Sequence, residues 1–377
     1  MLIAVNTRFL IHDKLEGMGR FTYEILSRIT KSHPEHQFLF FFDRKHHSEF
    51  VFGSNVIPVE LFPPARHPFL FYIYFEFSVA RALKKYKPDV FLSTDGYSCL
   101  NTNVPTVLVF HDLAFRHYPE GINYLERKYY NYFFPKFAQK ATRIAAVSAY
   151  TKHDLINQFN IPENKIDIVY NAAAKGFVPL DEVSKNNVRQ QYSRSCDYFL
   201  YVGALHPRKN VETLLKAFEA FKQNSSTDIK LVIVGRKAWQ TKEIEEVYQR
   251  SKFKNEILFT GRVPDEELYK ITASALSLVY IPYFEGFGLP IVEAMNCDVP
   301  VITSNCTSMP EVAGDAAILV DPHSVEQTQQ AMTDIANDIS LRNKLIEAAR
   351  LRKNKFNWDE SAENLWNCMM KALKKQT

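Results

Sequence analysis

Cysteine is scarce in this chain. Its five residues (Cys99, Cys196, Cys297, Cys306 and Cys368) among 377 are odd in number, scattered and without a CxxC pair. That argues against a disulfide framework, and the expectation is reduced, structural thiols in a cytoplasmic protein. No apolar run reaches the roughly 18 residues of a membrane span. The opening MLIAVNTRFL reads as a strand and lacks the basic region and long apolar core of a signal peptide. No short-period repeat is present, so a solenoid is excluded, and no nucleic-acid-binding motif accompanies the basic residues. With 46% hydrophobic and 23% charged residues, the chain is neither disordered nor fibrous.

What is present fits two domains, since 377 residues exceed one ordinary core. Apolar β-branched runs alternate with helical periodicity, the pattern of parallel α/β layers. The first series of strands is expected at 2–7, 37–42, 89–93, 105–110, 143–147 and 165–170, and the second at 197–203, 228–235, 256–261, 275–281, 299–304 and 316–320. Between them the polar stretch 176–197 reads as a linker. This gives a first domain over 1–178, a linker over 179–196 and a second domain over 197–355. A closing helix within 356–377 has apolar residues at helical spacing from Trp358 to Leu373.

The net charge of +4 is unevenly spread. Residues 1–178 hold 21 Lys and Arg against 16 Asp and Glu, the remainder 25 against 26. An anionic acceptor or a membrane surface would suit a basic first half, although a solvated face explains the same charge. Aromatics reach 14%. They crowd the segment 69–83, FLFYIYFEFSVARAL, a helix that either lines a core or cleft or presents a membrane-facing patch.

Three loops between a strand and a helix carry groups suited to an anionic ligand. In open α/β sheets ligands bind at this edge, where helix N-termini offer free N–H groups. The first is Gly17-Met18-Gly19-Arg20, where glycine permits close backbone approach. The second runs from Gly203 to Asn210 and ends in Arg208 and Lys209, with Asn210 as the expected N-cap of the next helix. Two cations at a positive helix end make sense if an anion lies between them. The third is Glu285-Gly286-Phe287-Gly288-Leu289-Pro290-Ile291-Val292-Glu293, with Pro290 in the first turn and one acid on either side of an amide-rich loop. His46 and His47 read as a surface pair.

This ensemble resembles the retaining glycosyltransferases of the GT-B fold, family 4. The resemblance spans nearly the whole chain. It is carried by GMGR, the His111-Asp112 pair, AVSAYT (146–151), GALHPRKN (203–210), FTGRVPDEEL (259–268) and the acid–seven residues–acid motif from Glu285 to Glu293, in that order. It implies two Rossmann-like domains facing a cleft, with the C-terminal helix packing back toward the first. The second domain would bind a nucleotide-sugar donor: Glu293 at the ribose, Arg208 and Lys209 at the diphosphate, Arg262 and Val263 at the base. Glu285, His111 and the amides of Phe287, Gly288 and Leu289 would surround the transferred sugar. The first domain would bind a glycan or lipid-linked acceptor, with the Gly17–Gly19 loop reaching over the donor phosphates.

The resemblance further implies a retaining hexosyl transfer, with a mild lean to mannose. The chain has no Asp-x-Asp, the usual diphosphate-metal ligand set of GT-A enzymes. Metal independence and no cofactor are therefore expected, at a cytoplasmic location with peripheral contact at the inner membrane face. Departures are Glu16 before the GMGR loop, Ala204 where some relatives carry arginine, and three alanines after Asn171. A sugar-nucleotide epimerase of the same fold and a non-catalytic binding protein on this frame are the rival readings.

Overall fold

A computed structural model describes residues 1–15, 17–236 and 242–374. The chain divides into two compact units, Met1–Asn171 with Asn357–Thr377, and Ala172–Phe356. Each unit is built on one parallel sheet.

The first unit contains β1 (Leu2–Asn6), β2 (Gln37–Phe42), β3 (Val56–Glu60), β4 (Val90–Ser93), β5 (Thr106–Phe110), β6 (Arg143–Ala146) and β7 (Ile166–Ile168), in the order β3-β2-β1-β4-β5-β6-β7. β1, β4, β5 and β6 are almost wholly buried, as expected for strands covered by helices on both faces. Chain order reverses between β1 and β4, which makes their carboxyl ends the switch point of the sheet. β3 was not expected from the sequence. Its VIPVE run is short and contains Pro58, which an edge strand tolerates and a central one does not.

The second unit contains β8 (Tyr198–Val202), β9 (Lys230–Val234), β10 (Ile257–Gly261), β11 (Ser277–Tyr280), β12 (Val301–Ser304) and β13 (Ala317–Val320). Their order is β10-β9-β8-β11-β12-β13, so the switch point lies between β8 and β11. All six fall within the expected segments. The polar stretch expected to be a linker instead holds the helix Glu182–Ser193. Asp181 caps it by accepting from the Ser184 amide at 2.8 Å. The chain passes between the units earlier, at 171/172, and again at 356/357.

The helix Trp358–Lys374 belongs by packing to the first unit, burying Ala362, Leu365, Trp366, Met369 and Ala372. It packs against β4, β5, β6, β7 and the helix Met18–Ser32. Trp366 stacks on His33 with centroids 3.6 Å apart. Residues 375–377, the end of the expected closing segment 356–377, lie outside the described residues.

The aromatic segment 69–83 is helical but not uniform. The helix Pro68–Ile73 runs into a π turn, Tyr74–Val79, and then the helix Ala80–Tyr86. A π turn inserts an extra residue into the helical repeat and shifts the phase of the faces. Phe71, Tyr74, Phe75 and Val79 enter the core, while Phe69, Tyr72 and Phe77 stay exposed. The segment thus has one face in the core and another face exposed. No helix among the described residues is long and apolar enough to cross a membrane.

Candidate active site

In the second unit Gly203 and Gly235 directly follow β8 and β9, and β10 ends on Gly261. The Gly203 amide donates to Val234 O, and the Gly235 amide to Gly261 O, both at 2.9 Å. A Cβ at Gly235 would lie 1.8 Å from the Gly203 carbonyl oxygen, so only glycine lets these two strand ends meet. Arg262 and Val263 follow directly on β10, exposed and half-buried respectively.

From Gly203 the chain makes one short turn, Pro207–Lys209, and enters the helix Val211–Gln223. Asn210 occupies the N-cap position, as expected, but its side chain does not cap. It sits in the left-handed region at φ 59° and donates through Nδ2 to Ile281 O at 2.9 Å and Pro322 O at 2.6 Å. The asparagine therefore ties this loop to the segments that follow β11 and β13.

This tether presents Arg208 and Lys209 to the third loop. Arg208 Nη1 donates to Phe284 O at 2.6 Å and to Glu285 Oε1 at 2.8 Å. Lys209 Nζ donates to the Tyr280 hydroxyl at 2.8 Å and also to Glu285 Oε1. Glu285 itself is 9% exposed, and Ser308 Oγ holds its backbone carbonyl at 2.8 Å. Burial pushes the Glu285 carboxyl upward. The adjoining Arg208 and Lys209 charges outweigh that, leaving it below the ordinary carboxylate range and ionised. Arg208, Lys209 and Glu285, far apart in sequence, thus form one cluster. The two cations share a carboxylate rather than standing apart.

Beyond Glu285, Gly286, Phe287 and Gly288 are buried. Gly288 starts the helix Leu289–Asn296 at φ 93°, with Pro290 in its first turn as expected. A side chain at Gly288 would strike Met309, whose Cε would be 2.6 Å away. Glu293 lies one turn into this helix and is half-buried. The amides of Phe287, Gly288 and Leu289 therefore stand between the two acids, at the edge where β8 and β11 diverge. This is where an anionic ligand is best received.

The first unit carries its own constellation at the β1–β4 switch point. Gly17 is the N-cap of the helix Met18–Ser32, at φ 39°. Gly19 lies inside the first turn, where a Cβ would be 2.7 Å from Phe9 O, so close helix–loop packing alone accounts for that glycine. Glu16 lies outside the described residues. Thr22 of this helix donates to Thr94 Oγ1 at 2.8 Å, and Phe21 meets the His111 ring edge-on at 5.1 Å.

His111 follows β5, and its Nε2 lies 2.8 Å from Thr94 O. A carbonyl can only accept, so this bond fixes the Nε2–H tautomer and leaves the Nδ1 lone pair to act as an acceptor. The Ser148–Thr151 cap supports it from below, Thr151 Oγ1 donating to His111 O at 3.4 Å. The Thr94 loop is held by Asp95, which accepts from Arg8 Nε at 2.6 Å and from Asn6 Nδ2 at 2.9 Å. Sequence reasoning missed Thr94, Asp95, Tyr280 and Ser308. Two of them stand at strand ends that face the site, Tyr280 closing β11 and Thr94 directly following β4.

Burial lowers the His111 pKa below its ordinary 6.5, against the opposing pull of the Thr94 carbonyl and nearby acids. The folded chain therefore favours the neutral ring. That contribution to stability is present above the ordinary value and is lost as pH falls through the lowered one. Nitrogen-15 spectra of histidine-labelled protein are expected to show His111 as the neutral Nε2–H form at pH 7, titrating below 6.5. An Nδ1–H tautomer, or a midpoint above 6.5, would contradict this geometry.

His46 contacts Glu60 at 2.8 Å, and exposed His47 stacks on His12 at 3.7 Å. Among the described residues two clusters come close enough to share a metal ion, His12 with His47 and Glu49, and His33 with Glu35 and His36. Neither includes a residue of the two constellations above.

Comparison with known proteins places these features in a family. Residues 15–173 match the family described as "Glycosyltransferase Family 4" and residues 185–352 that described as "Glycosyl transferases group 1". The chain is 30% identical over 286 residues to the O-antigen chain mannosyltransferase B of Escherichia coli, covering 74% of each chain. It is 26% identical over 268 residues, 71% of each, to the O-antigen chain mannosyltransferase RfbU of Salmonella typhimurium. Among solved structures, the lipopolysaccharide glycosyltransferase WaaG aligns over 98% of this chain and 99% of its own with TM-score 0.76 at 15% identity. Anabaena HepE in complex with UDP-glucose aligns over the same shares with TM-score 0.77 at 15% identity. The chain belongs to glycosyltransferase family 4 and is a glycosyltransferase of the GT-B fold.

Proposed function

We propose that this enzyme transfers a mannosyl unit, with retention, from a nucleoside-diphosphate sugar to a glycan or lipid-linked acceptor in the cytoplasm, without a metal ion or other cofactor. The observation that carries the reading is the Arg208–Lys209–Glu285 cluster beside the amides of residues 287–289. The mannosyl part is supported by the functions named for the E. coli and Salmonella relatives. The cytoplasmic part is supported by the five free thiols.

Chemically, the bond between the anomeric carbon and the diphosphate oxygen breaks, and its electron pair leaves with the diphosphate. Arg208 and Lys209, held side by side at Glu285, meet that growing charge at the diphosphate. The acceptor hydroxyl oxygen bonds the anomeric carbon on the face of departure, and its proton passes to the leaving phosphate. Glu285 and neutral His111 orient the transferred sugar, and Glu293 accepts from the ribose hydroxyls. Gly17 and Gly19 contribute backbone amides, and Arg262 with Val263 frames the base. No protein nucleophile is required, in contrast to hydrolases with paired carboxylates.

Incubation with a panel of nucleoside-diphosphate hexoses tests this reading. Without acceptor, slow sugar release without epimerisation is expected, fastest for the mannose donor. With an oligosaccharide or lipid-linked acceptor, transfer is expected to persist in EDTA. Loss of turnover in EDTA with recovery on added magnesium would refute the metal-free account, and preference for another hexose would refute the mannosyl one.

A further inference from the structure

We propose that His12, His47 and Glu49 bind one divalent transition-metal ion, zinc fitting best, which braces the loop before Gly17 against the segment after β2. The evidence is independent of the donor reading, and none of the three belongs to either constellation described above. The ligands come from two stretches of chain that only the fold brings together. His12 lies in the loop between β1 and the helix Met18–Ser32, whereas His47 and Glu49 belong to the 3₁₀ turn Ser48–Phe50 and its N-cap. Their ligand atoms all lie within 4.8 Å of one another. The two rings stack at 3.7 Å with 13° between their planes.

Both rings turn Nδ1 toward the same carboxylate oxygen. His12 Nδ1 donates to Glu49 Oε1 at 2.6 Å, and His47 Nδ1 lies 3.5 Å from that atom. His47 Nδ1 accepts from the Glu49 amide at 3.4 Å, so it carries a lone pair and no proton. Zinc–nitrogen and zinc–oxygen bonds of about 2.0–2.2 Å set a tetrahedral edge of roughly 3.3–3.6 Å. The His47–Glu49 separation already has that length. The shorter His12–Glu49 separation opens to it when the proton between them leaves to solvent and the ion takes its place. Two imidazoles and a carboxylate select zinc and its neighbours over magnesium or calcium, which require oxygen ligands. The three side chains are 39–46% exposed, so water completes the coordination. The second histidine cluster is accounted for by packing: His33 and His36 both stack on Trp366, at 3.6 and 5.4 Å.

Titration of the tag-free full chain with zinc, in competition with a chromogenic chelator, tests the assignment. One ion is expected per chain. His12→Gln and His47→Gln are each expected to weaken zinc by at least about tenfold, and His33→Gln/His36→Gln to leave it unchanged. Zinc is expected to slow amide exchange in residues 10–14 and 46–50 of the wild type but not of His12→Gln. Without zinc, the thermal midpoint of His12→Gln is expected to equal that of the wild type, which shows that the variant folds. No binding at about 100 μM zinc, or undiminished binding in either single variant, would overturn the proposal. So would zinc bound without slowed exchange, an adventitious ion only. The ion touches no residue of the donor site, so the metal-free account of transfer stands or falls on its own test.

Discussion

Glu285→Ala is expected to lower kcat by about 100-fold or more and to leave nucleoside-diphosphate affinity unchanged or improved. The first half follows from the proposed role: a buried carboxylate, kept ionised by Arg208 and Lys209, would orient the group whose bond breaks. Losing one positioned transition-state contact costs roughly 10²–10³ in rate. The second half follows from its partners. With no ligand, both cations are engaged on Glu285 Oε1, so a diphosphate must draw them partly away from it. Removing the carboxylate removes a competitor. Because it also leaves two cations without their partner, Glu285→Gln is the companion variant, neutral but able to keep one hydrogen bond. Its kcat is expected to fall as well, and calorimetry on both variants checks the affinity. A weakened nucleoside diphosphate in Glu285→Gln would place this residue on the nucleotide.

Lys209→Ala is expected to act the other way. A lysine held by the Tyr280 hydroxyl at 2.8 Å and largely buried gives a charge-assisted bond to diphosphate worth about 1.5–3 kcal/mol, a loss of roughly 10- to 150-fold in affinity. Calorimetric titration of the nucleoside diphosphate reads this directly. Unchanged affinity would remove the Arg208–Lys209 pair from the donor site.

The sequence made most strands legible because parallel strands buried on both faces are written as continuous apolar runs. Where that signal weakens, the reading fails. β3 carries a proline and a terminal glutamate at the sheet edge. The helix Glu182–Ser193 buries only Val188 and Ser193, so it looked like a polar linker. Asp181 three residues before Ser184 was a start signal that could have revealed it.

The candidate site divides in the same way. Arg208, Lys209, Glu285 and Glu293 were legible because short loops between strand and helix keep their chemistry contiguous in sequence. Tyr280 was not, since an aromatic at a strand end looks like core until the fold brings Lys209 to its hydroxyl. The Arg8–Asp95 pair and the Thr94 carbonyl that orients His111 were hidden for a like reason, because only the pairing of β4 with β1 on one side and β5 on the other brings them together. The two faces of segment 69–83 depended on something no hydropathy pattern resolves, a π turn that redirects alternate aromatics outward.

The most direct test of the central claim, a donor lying with its sugar at Glu285 and its ribose at Glu293, is a steady-state comparison of Glu285→Ala with Glu293→Ala under varied donor. Ribose does not change during transfer, so Glu293→Ala is predicted to raise the donor KM with a smaller effect on kcat, the mark of uniform binding. Glu285→Ala is predicted to lower kcat chiefly. A KM defect at Glu285 with a pure kcat defect at Glu293 would contradict the account, because the donor would then lie in the opposite direction along this loop.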